Sequence, residues 1–339
     1  MAKTLTIFTP AFNRVHTLVR TYESLCHQTC NDFEWVIIDD GSTDNTREWV
    51  ESLGTKRKAG HGEFDWLGRQ LENGEDSSLE ITLPKFRLTY IRKPNGGLYT
   101  GYNVAYTVIK TELCVCVDSD DFMPDDAVEK IINLWRRHYP ESSLKSSISA
   151  LTGKEYCGII GLDFYFDKGT PIGGYFPDDM TETYRSDLFI NNIHSGDCKE
   201  VMRTELMRKV APQIGFEGEK NFNPAYMLAQ VWDKYPLLVI NDNLCTVEYQ
   251  IGADSMSQGI YKQFVNSPRS YAKHRILHMK MSRYPYRQKF KSAAHYVSSC
   301  IIAGDKQWLK NSPMKLTTIL AIPMGLAIYS FIKIKTWNR

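Results

Sequence analysis

The chain has 339 residues, 42% of them hydrophobic and 24% charged, which is ordinary for a soluble protein and enough for one large domain or one domain with an appendage. Its net charge of +2 hides a split: residues 262–339 hold fifteen Lys or Arg against one acid, Asp305, leaving 26 basic and 38 acidic residues in the first 261. The eight cysteines are scattered without zinc-finger spacing, which excludes that class, and the N-terminus lacks a secretory signal, so reduced thiols and cytoplasmic residence are expected.

Taken in order, "TLTIFTP" (Thr4–Pro10) is a β-prone run closed by proline. A helix follows, with Val15, Leu18, Val19, Tyr22, Leu25 and Cys26 at helical period. "FEWVIIDD" (Phe33–Asp40) is a second strand, and "DNTREWVESL" a second helix with Asp44 at its N-cap. Residues 54–85 are polar with little periodicity and read as a surface insertion. "FRLTYIRKP" (Phe86–Pro94) is a third strand, "GLYTGYNVAYTVIK" a helix, and "ELCVCVD" a fourth strand. "MPDDAVEKIINLWRRHY" is a helix with Pro124, Asp125 and Asp126 at its start. Beyond residue 150, Tyr156–Phe166 reads as a strand, "GDCKEVMRTELMRKV" as a strand or turn leading into a helix, "PAYMLAQVWDKY" as a helix and "PLLVINDNLCTVEY" as a strand pair or one long strand.

Alternating apolar strands and helices predict an α/β fold with a mostly parallel sheet covered on both faces. Ligands of such sheets bind at the carboxyl ends of the strands, which the right-handed crossover brings to one rim. Those ends read Thr9-Pro10-Ala11-Phe12-Asn13-Arg14, Asp39-Asp40-Gly41-Ser42, Pro94-Asn95-Gly96-Gly97 and Asp118-Ser119-Asp120-Asp121. In extended chain, residues i and i+2 point the same way, so Asp118 and Asp120 can face one site while Asp121 turns aside. Two carboxylates are too few for a structural cation cage, but they suit a hard divalent cation that arrives with a diphosphate. The same acids could instead form a polar turn before a helix. Asp40 could accept hydrogen bonds from a base or a sugar, although D-D-G-S is equally a tight turn. Neither the dinucleotide fingerprint G-x-G-x-x-G nor the P-loop G-x-x-x-x-G-K-[ST] occurs.

The stretch "TLTIFTPAFNRVHTLVRTYESLCHQTCNDFEWVIIDDGSTDNT" resembles the opening of family 2 glycosyltransferases. "NGGLYTGYN" resembles that family's N-x-G-x-x-x-A-x-N element, with Gly101 for the usual alanine, and "VDSDD" its D-x-D motif. The clear resemblance covers residues 3–135. A weaker one, through "GDCKEVMRTELMRK" and "GFEGEK", is to enzymes of bacterial surface-polysaccharide synthesis. The resemblance implies a GT-A fold over residues 1–260, a UDP- or GDP-sugar donor, Mn²⁺ or Mg²⁺, and transfer of a hexosyl-type sugar with inversion to a glycan or lipid-linked glycan. By position, Thr9, Phe12, Arg14 and Asp40 would line the nucleotide pocket, and Asn95, Gly96 and Asn103 would flank the sugar or diphosphate. Asp118 and Asp120 would meet the metal, Asp118 also the donor. The family's general base is an acid just before a late helix, but "NFNPAY" precedes "AYMLAQVWDKY" here. Glu219, with Glu217 as second choice, is the nearest acid upstream; Asp178 and Asp179 are further candidates.

Residues 261–339 read as a basic helical tail containing the apolar segment 316–332, "LTTILAIPMGLAIYSFI". An in-plane membrane helix or hairpin, a short transmembrane anchor and a buried core helix are the three readings, the first preferred. Basic and aromatic residues between Lys262 and Lys291 suit an anionic lipid surface, and no nucleic-acid motif accompanies them. The expected place is therefore the cytoplasmic face of the cell membrane. Two rival readings remain. A sugar-phosphate nucleotidyltransferase would carry a glycine-rich basic loop after strand one, which "FTPAFNRVHT" lacks. A non-catalytic nucleotide-sugar-binding protein is favoured by the missing acid.

Overall fold

The computed structural model describes residues 3–141, 146–248 and 259–337. Leu5–Ala11 (β1) is buried along its whole length and pairs in parallel with Phe33–Asp39 (β2) on one side and Leu113–Cys116 (β6) on the other. Arg87–Arg92 (β5) pairs in parallel with β2. These four strands are the apolar runs of the first half, and both their faces are covered, as continuous hydrophobicity demands. Leu5, Ile7, Phe33, Trp35, Ile37, Leu88 and Val115 meet Leu18 and Leu25 of helix Val15–Cys26 (α1) and Val128, Ile131 and Trp135 of helix Ala127–His138 (α4) in one core.

The whole sheet is mixed rather than mostly parallel. It has ten strands in the order β3-β4-β5-β2-β1-β6-β9-β7-β10-β8, and five of its nine pairings are antiparallel. Two additions cause this. The stretch expected as a surface insertion supplies a hairpin, Thr55–Lys58 (β3) and Leu79–Thr82 (β4), that extends the sheet beyond β5. On the other side, Cys198–Arg203 (β9) enters antiparallel between β6 and Gly158–Tyr165 (β7). Leu237–Val247 (β10) is one long strand, parallel to β7, irregular between Ile240 and Cys245, and edged by Glu182–Thr183 (β8). The remaining helices of this half are Thr46–Ser52 (α2), Leu98–Val108 (α3), Arg185–Ile190 (α5) and Thr204–Arg208 (α6). Asp44 lies one residue outside the cap of α2, where its Oδ1 accepts the Thr46 N–H at 3.1 Å.

The chain divides into two compact units. One comprises Met1–Gly96, Thr100–Pro212 and Lys234–Tyr249; the other comprises Gly97–Tyr99, Gln213–Asp233 and Gln250–Arg339. The second unit thus takes in helix Ala225–Trp232 (α7) and the turn before it, as well as the tail. The tail is helical: Ile260–Asn266 (α8), Pro268–Lys280 (α9), Tyr286–Ala303 (α10), Trp308–Asn311 (α11), Lys315–Leu320 (α12) and Ile322–Trp337 (α13). The apolar segment 316–332 is split between α12 and α13, with Pro323 in the first turn of α13, where its missing N–H costs nothing. Among the described residues no helix is long and apolar enough to cross a membrane.

Candidate active site

The ends of β5, β2, β1 and β6 meet as the crossover rule requires. At the end of β2, Asp39 is turned inward: it accepts the Ser42 N–H at 2.7 Å and the buried Tyr90 hydroxyl. Burial and the Asp39 charge together push the Tyr90 phenol well above its ordinary range. Asp40 is only 6% exposed, and its carboxylate accepts from the buried Lys93 ammonium, from Asn95 Nδ2 at 3.1 Å and from the Gly96 N–H at 2.9 Å. Lys93 Nζ also donates to the carbonyls of Pro94 at 2.7 Å and Trp66 at 3.3 Å. One buried ion pair thus ties together the D-D-G-S turn, the N-G turn and the insertion.

Two glycines are required at this knot. Gly41 has φ +81°, and a Cβ on it would stand 3.0 Å from the Asn95 nitrogen. A Cβ on Gly96 would fall 1.8 Å from the Trp66 carbonyl oxygen. Asn103 is fully buried and donates to the Leu67 carbonyl at 2.8 Å. The insertion is therefore docked on this rim, with Phe64 and Leu67 buried. Across the turn, Asn13 takes a left-handed conformation (φ 54°), and its Oδ1 accepts the N–H of Thr43 at 2.8 Å. Its own N–H donates to Ser42 Oγ at 2.9 Å.

The acid loop follows β6. Asp118 is exposed, Asp120 is partly buried and Asp121 is buried; the four residues form a turn, closed by the Asp121 N–H on the Asp118 carbonyl at 3.0 Å, rather than the extended chain that an i, i+2 alternation requires. Burial raises the Asp120 carboxyl above its ordinary range, the Asp118 charge adds to this, and Arg14 and Arg20 pull the other way. From α1, Arg20 donates to the Asp120 carbonyl at 2.7 Å and Thr21 Oγ1 to the Asp121 carbonyl at 2.7 Å. The Arg20 guanidinium also pairs with Glu248 at 2.6 Å and lies 4.7 Å from the Phe122 ring centroid. Phe122 is bonded in both directions to the backbone of Thr246 in β10. The loop is held from both sides.

Beneath it, Asp121 lies 3.7 Å from the buried Lys199 ammonium, which is 3.9 Å from Asp163. Burial raises both carboxyls, that of Asp163 to about 7, while Lys199 opposes the rise. Burial disfavours the Lys199 charge, but Asp163, Cys245 and Asp121 outweigh it and hold the lysine protonated.

The expected site residues fall into two groups. Phe12 is 45% exposed, and Arg14, Asp118 and Asp120 also reach solvent, so these four side chains can meet a ligand. Asp40, Asn95, Gly96 and Asn103 build the rim by bonding to one another and to the insertion. The expected place of the Thr9 side chain in the nucleotide pocket is corrected: Thr9 is fully buried, and its Oγ1 accepts the Trp35 indole N–H at 3.0 Å inside the sheet. Sequence reasoning missed Lys93, Arg20 and Lys199. Only Lys93 carried a signal, as the last of the charges that close an apolar strand, just before Pro94.

The acids expected as general base lie in the second unit. Glu219 is 4% exposed; its Oε1 accepts the Arg269 N–H at 3.1 Å and Nε at 2.9 Å, and its Oε2 the Ser270 N–H at 2.8 Å. It therefore satisfies orphan donors at the start of α9 and sits at the positive end of that helix. Glu217 is exposed, and only its carbonyl is seen to accept from Arg269, at 2.7 Å. Helix α7 begins with no acid in its first turn.

Among the described residues no group of three His, Cys, Asp or Glu side chains could enclose a metal ion. Asp118 and Asp120 fit a different case. They are two repelling carboxylates, one of them raised above its ordinary range by burial and by its neighbour, and a hard cation carrying its other oxygen ligands would relieve that repulsion.

Residues 6–62 and 72–148 match the family described as Glycosyl transferase family 2, the gap falling in the insertion. A chondroitin synthase of Pasteurella multocida is 31% identical over 125 residues, which is 37% of this chain but 10% of that protein. The chain thus spans a small part of such synthases. Glycosyltransferase GlyG of Streptococcus pneumoniae is 24% identical over 260 residues, 72% of this chain and 70% of that protein. The solved structure of S. aureus TarS 1-349 with UDP-GlcNAc superposes with a TM-score of 0.53 at 14% identity, covering 99% of this chain and 92% of that one. That likeness shows a shared fold.

Proposed function

From the match of residues 6–62 and 72–148 to glycosyl transferase family 2, we propose that the chain transfers a sugar from a nucleoside-diphosphate-sugar, UDP- or GDP-linked, to a glycan or lipid-linked glycan, with inversion at the anomeric carbon. The observation that carries the reading is that Asp118, exposed, and Asp120, partly buried, follow β6 at the same end of the parallel strands as the D-D-G-S turn after β2. Phe12 offers an apolar surface for the base, and Arg14 a cation for the phosphates. Asp118 and Asp120 are the residues that would hold Mn²⁺ or Mg²⁺. Such an ion, when bound, neutralises charge on a departing diphosphate.

In the inverting reaction the acceptor hydroxyl oxygen forms a bond to the anomeric carbon as the bond to the diphosphate oxygen breaks. The electron pair leaves with the diphosphate and the hydroxyl proton goes to a base. Of the two acids expected for that role, Glu219 already accepts three hydrogen bonds, so Glu217 is the proposed base. We place the enzyme at the cytoplasmic face of the membrane, with its basic tail toward the lipid and a lipid-linked acceptor within the same leaflet.

The test is incubation with Mn²⁺ or Mg²⁺ and a panel of nucleotide-sugars, with and without lipid acceptors, following release of nucleoside diphosphate. Release that needs metal supports the proposal. Pyrophosphate chemistry would instead make the protein a nucleotidyltransferase. Binding without turnover on any acceptor would make it a nucleotide-sugar-binding protein, the reading that the missing acid before α7 favours.

A further inference from the structure

Helix α13 is built inside out. Its inward seam is Gly325, partly buried Ile328 and Ile332, spaced i, i+3 and i+7, preceded by buried Ala321 at the end of α12, and it packs on α10. The close approach depends on Gly325, where a Cβ would stand 2.7 Å from Val297 Cβ and 2.9 Å from the Ala294 carbonyl oxygen. The large apolar side chains are left on the outside. Met324, Phe331 and Ile334 recur on one outward side and are 47%, 48% and 65% exposed. On α12, Leu316 and Leu320, four apart, are 71% and 58% exposed. Single exposed leucines need no explanation, but five large exposed apolar side chains on two successive helices, of which only Phe331 is seen to pack on another ring, that of Tyr261 at 5.6 Å, mark an interaction surface.

The charge around the strip identifies its partner. From Lys306 to Arg339 there are six basic residues and no acid. Lys315 opens α12, and Lys333 and Lys335, both exposed, close α13 beside Phe331 and Ile334. A strip of large apolar side chains with only cations at its edges complements a surface that is apolar below and anionic above. Spanning is excluded by length: sixteen residues rise about 24 Å, short of a hydrocarbon core of about 30 Å.

We propose that the outward face of α12 and α13 lies in the plane of an anionic lipid leaflet, with Leu316, Leu320, Met324, Phe331 and Ile334 among the acyl chains and Lys315, Lys333 and Lys335 at the headgroups. This deepens the membrane placement proposed above, and its test needs no turnover, so failure of the transferase reading leaves it standing.

The test is co-sedimentation of the full chain with vesicles of phosphatidylcholine alone, or containing roughly one-third phosphatidylglycerol. The full chain should bind the anionic vesicles, bind the neutral ones far more weakly, and be released by salt. Leu316→Asp with Ile334→Asp, both at highly exposed positions, should lower binding by tenfold or more, with helix content by circular dichroism unchanged. Lys333→Gln and Lys335→Gln should each lower it about fivefold. Absence of binding to anionic vesicles, equal binding to both vesicles, or an unchanged affinity in the Asp variant would overturn the proposal. So would a parent protein that forms dimers, ignores vesicles and becomes monomeric in the Asp variant, since the face would then join two copies of this chain.

Discussion

Lys93→Met should be among the most damaging single substitutions in the first unit. The side chain is fully buried, and its ammonium serves the Asp40 carboxylate and the carbonyls of Pro94 and Trp66. Methionine fills similar space but supplies no charge and no donor. Asp40 would keep the Asn95 and Gly96 donors at 3.1 and 2.9 Å, yet it would be a buried anion that has lost the Lys93 charge. Removing one partner of a buried pair costs about 3–5 kcal/mol, most of it from the stranded charge. Asp40→Asn should cost less, because an amide can still accept from Gly96. The double variant Lys93→Met/Asp40→Asn should then be more stable than the sum of the two single changes by about 2–3 kcal/mol. Urea unfolding followed by intrinsic fluorescence measures all four corners of this cycle. A cost below about 1 kcal/mol for Lys93→Met, or strict additivity in the double variant, would refute the argument that this ion pair is the knot of the rim.

Glu219→Gln should destabilise the second unit by about 1–3 kcal/mol, because it weakens the bonds to Arg269 and Ser270 at the start of α9; Glu217→Gln should leave stability unchanged but cut transfer by roughly a hundredfold or more with donor binding intact. Burial, with Arg275 adding to it, holds the imidazoles of His278 and His295 down at about 4. A depressed histidine contributes stability that is present above its unfolded value of 6.5 and is lost as pH falls toward 4. Helix content should therefore drop over that interval, and the drop should become shallower in His278→Gln. Asp163 is the opposite case: burial raises it from 3.8 to about 7, so its contribution is complete below 3.8 and is lost as pH rises through 7. Asp163→Asn should flatten the dependence of stability on pH over that range, measured by urea unfolding at a series of pH values.

What the residues disclosed, and what they hid, divides along physical lines. The strands β1, β2, β5 and β6 were legible because each is a continuous apolar run closed by a polar turn, and their parallel order follows from the helices between them. Asp121 is buried apart from Asp118, as a two-residue period would have it, but the segment is a turn closed by the Asp121 N–H on the Asp118 carbonyl, so the period of an extended chain is not the cause. The insertion was misjudged because β3, Thr55–Lys58, is exposed along its length and shows no apolar signal. Its place is set by backbone pairing to β4 and by two carbonyls, Trp66 and Leu67, and backbone bonds leave no trace in a hydrophobic pattern. The antiparallel entry of β9 was hidden for a related reason, since its neighbours in space, β6 and β7, precede it by long stretches of chain. Motif spacing pointed to Asp40 for the nucleotide pocket and to Asn95, Gly96 and Asn103 beside the sugar or diphosphate, but it could not tell residues that hold the rim from those that face a ligand. That distinction depends on Lys93 and the insertion. Glu219 shows the same limit: its position suggested a base, and its contacts are those of a helix cap.

The central claim is that the acid pair after β6 binds a cation together with a nucleoside diphosphate. Calorimetric titration of UDP and of GDP, with and without Mn²⁺, into the parent protein and into Asp120→Ala tests it most directly. The account predicts binding of one of the two nucleotides that requires Mn²⁺, fades as pH falls and Asp120 takes up its proton, and is abolished in Asp120→Ala. Equal affinity with and without the metal, or undiminished binding in Asp120→Ala, would contradict it.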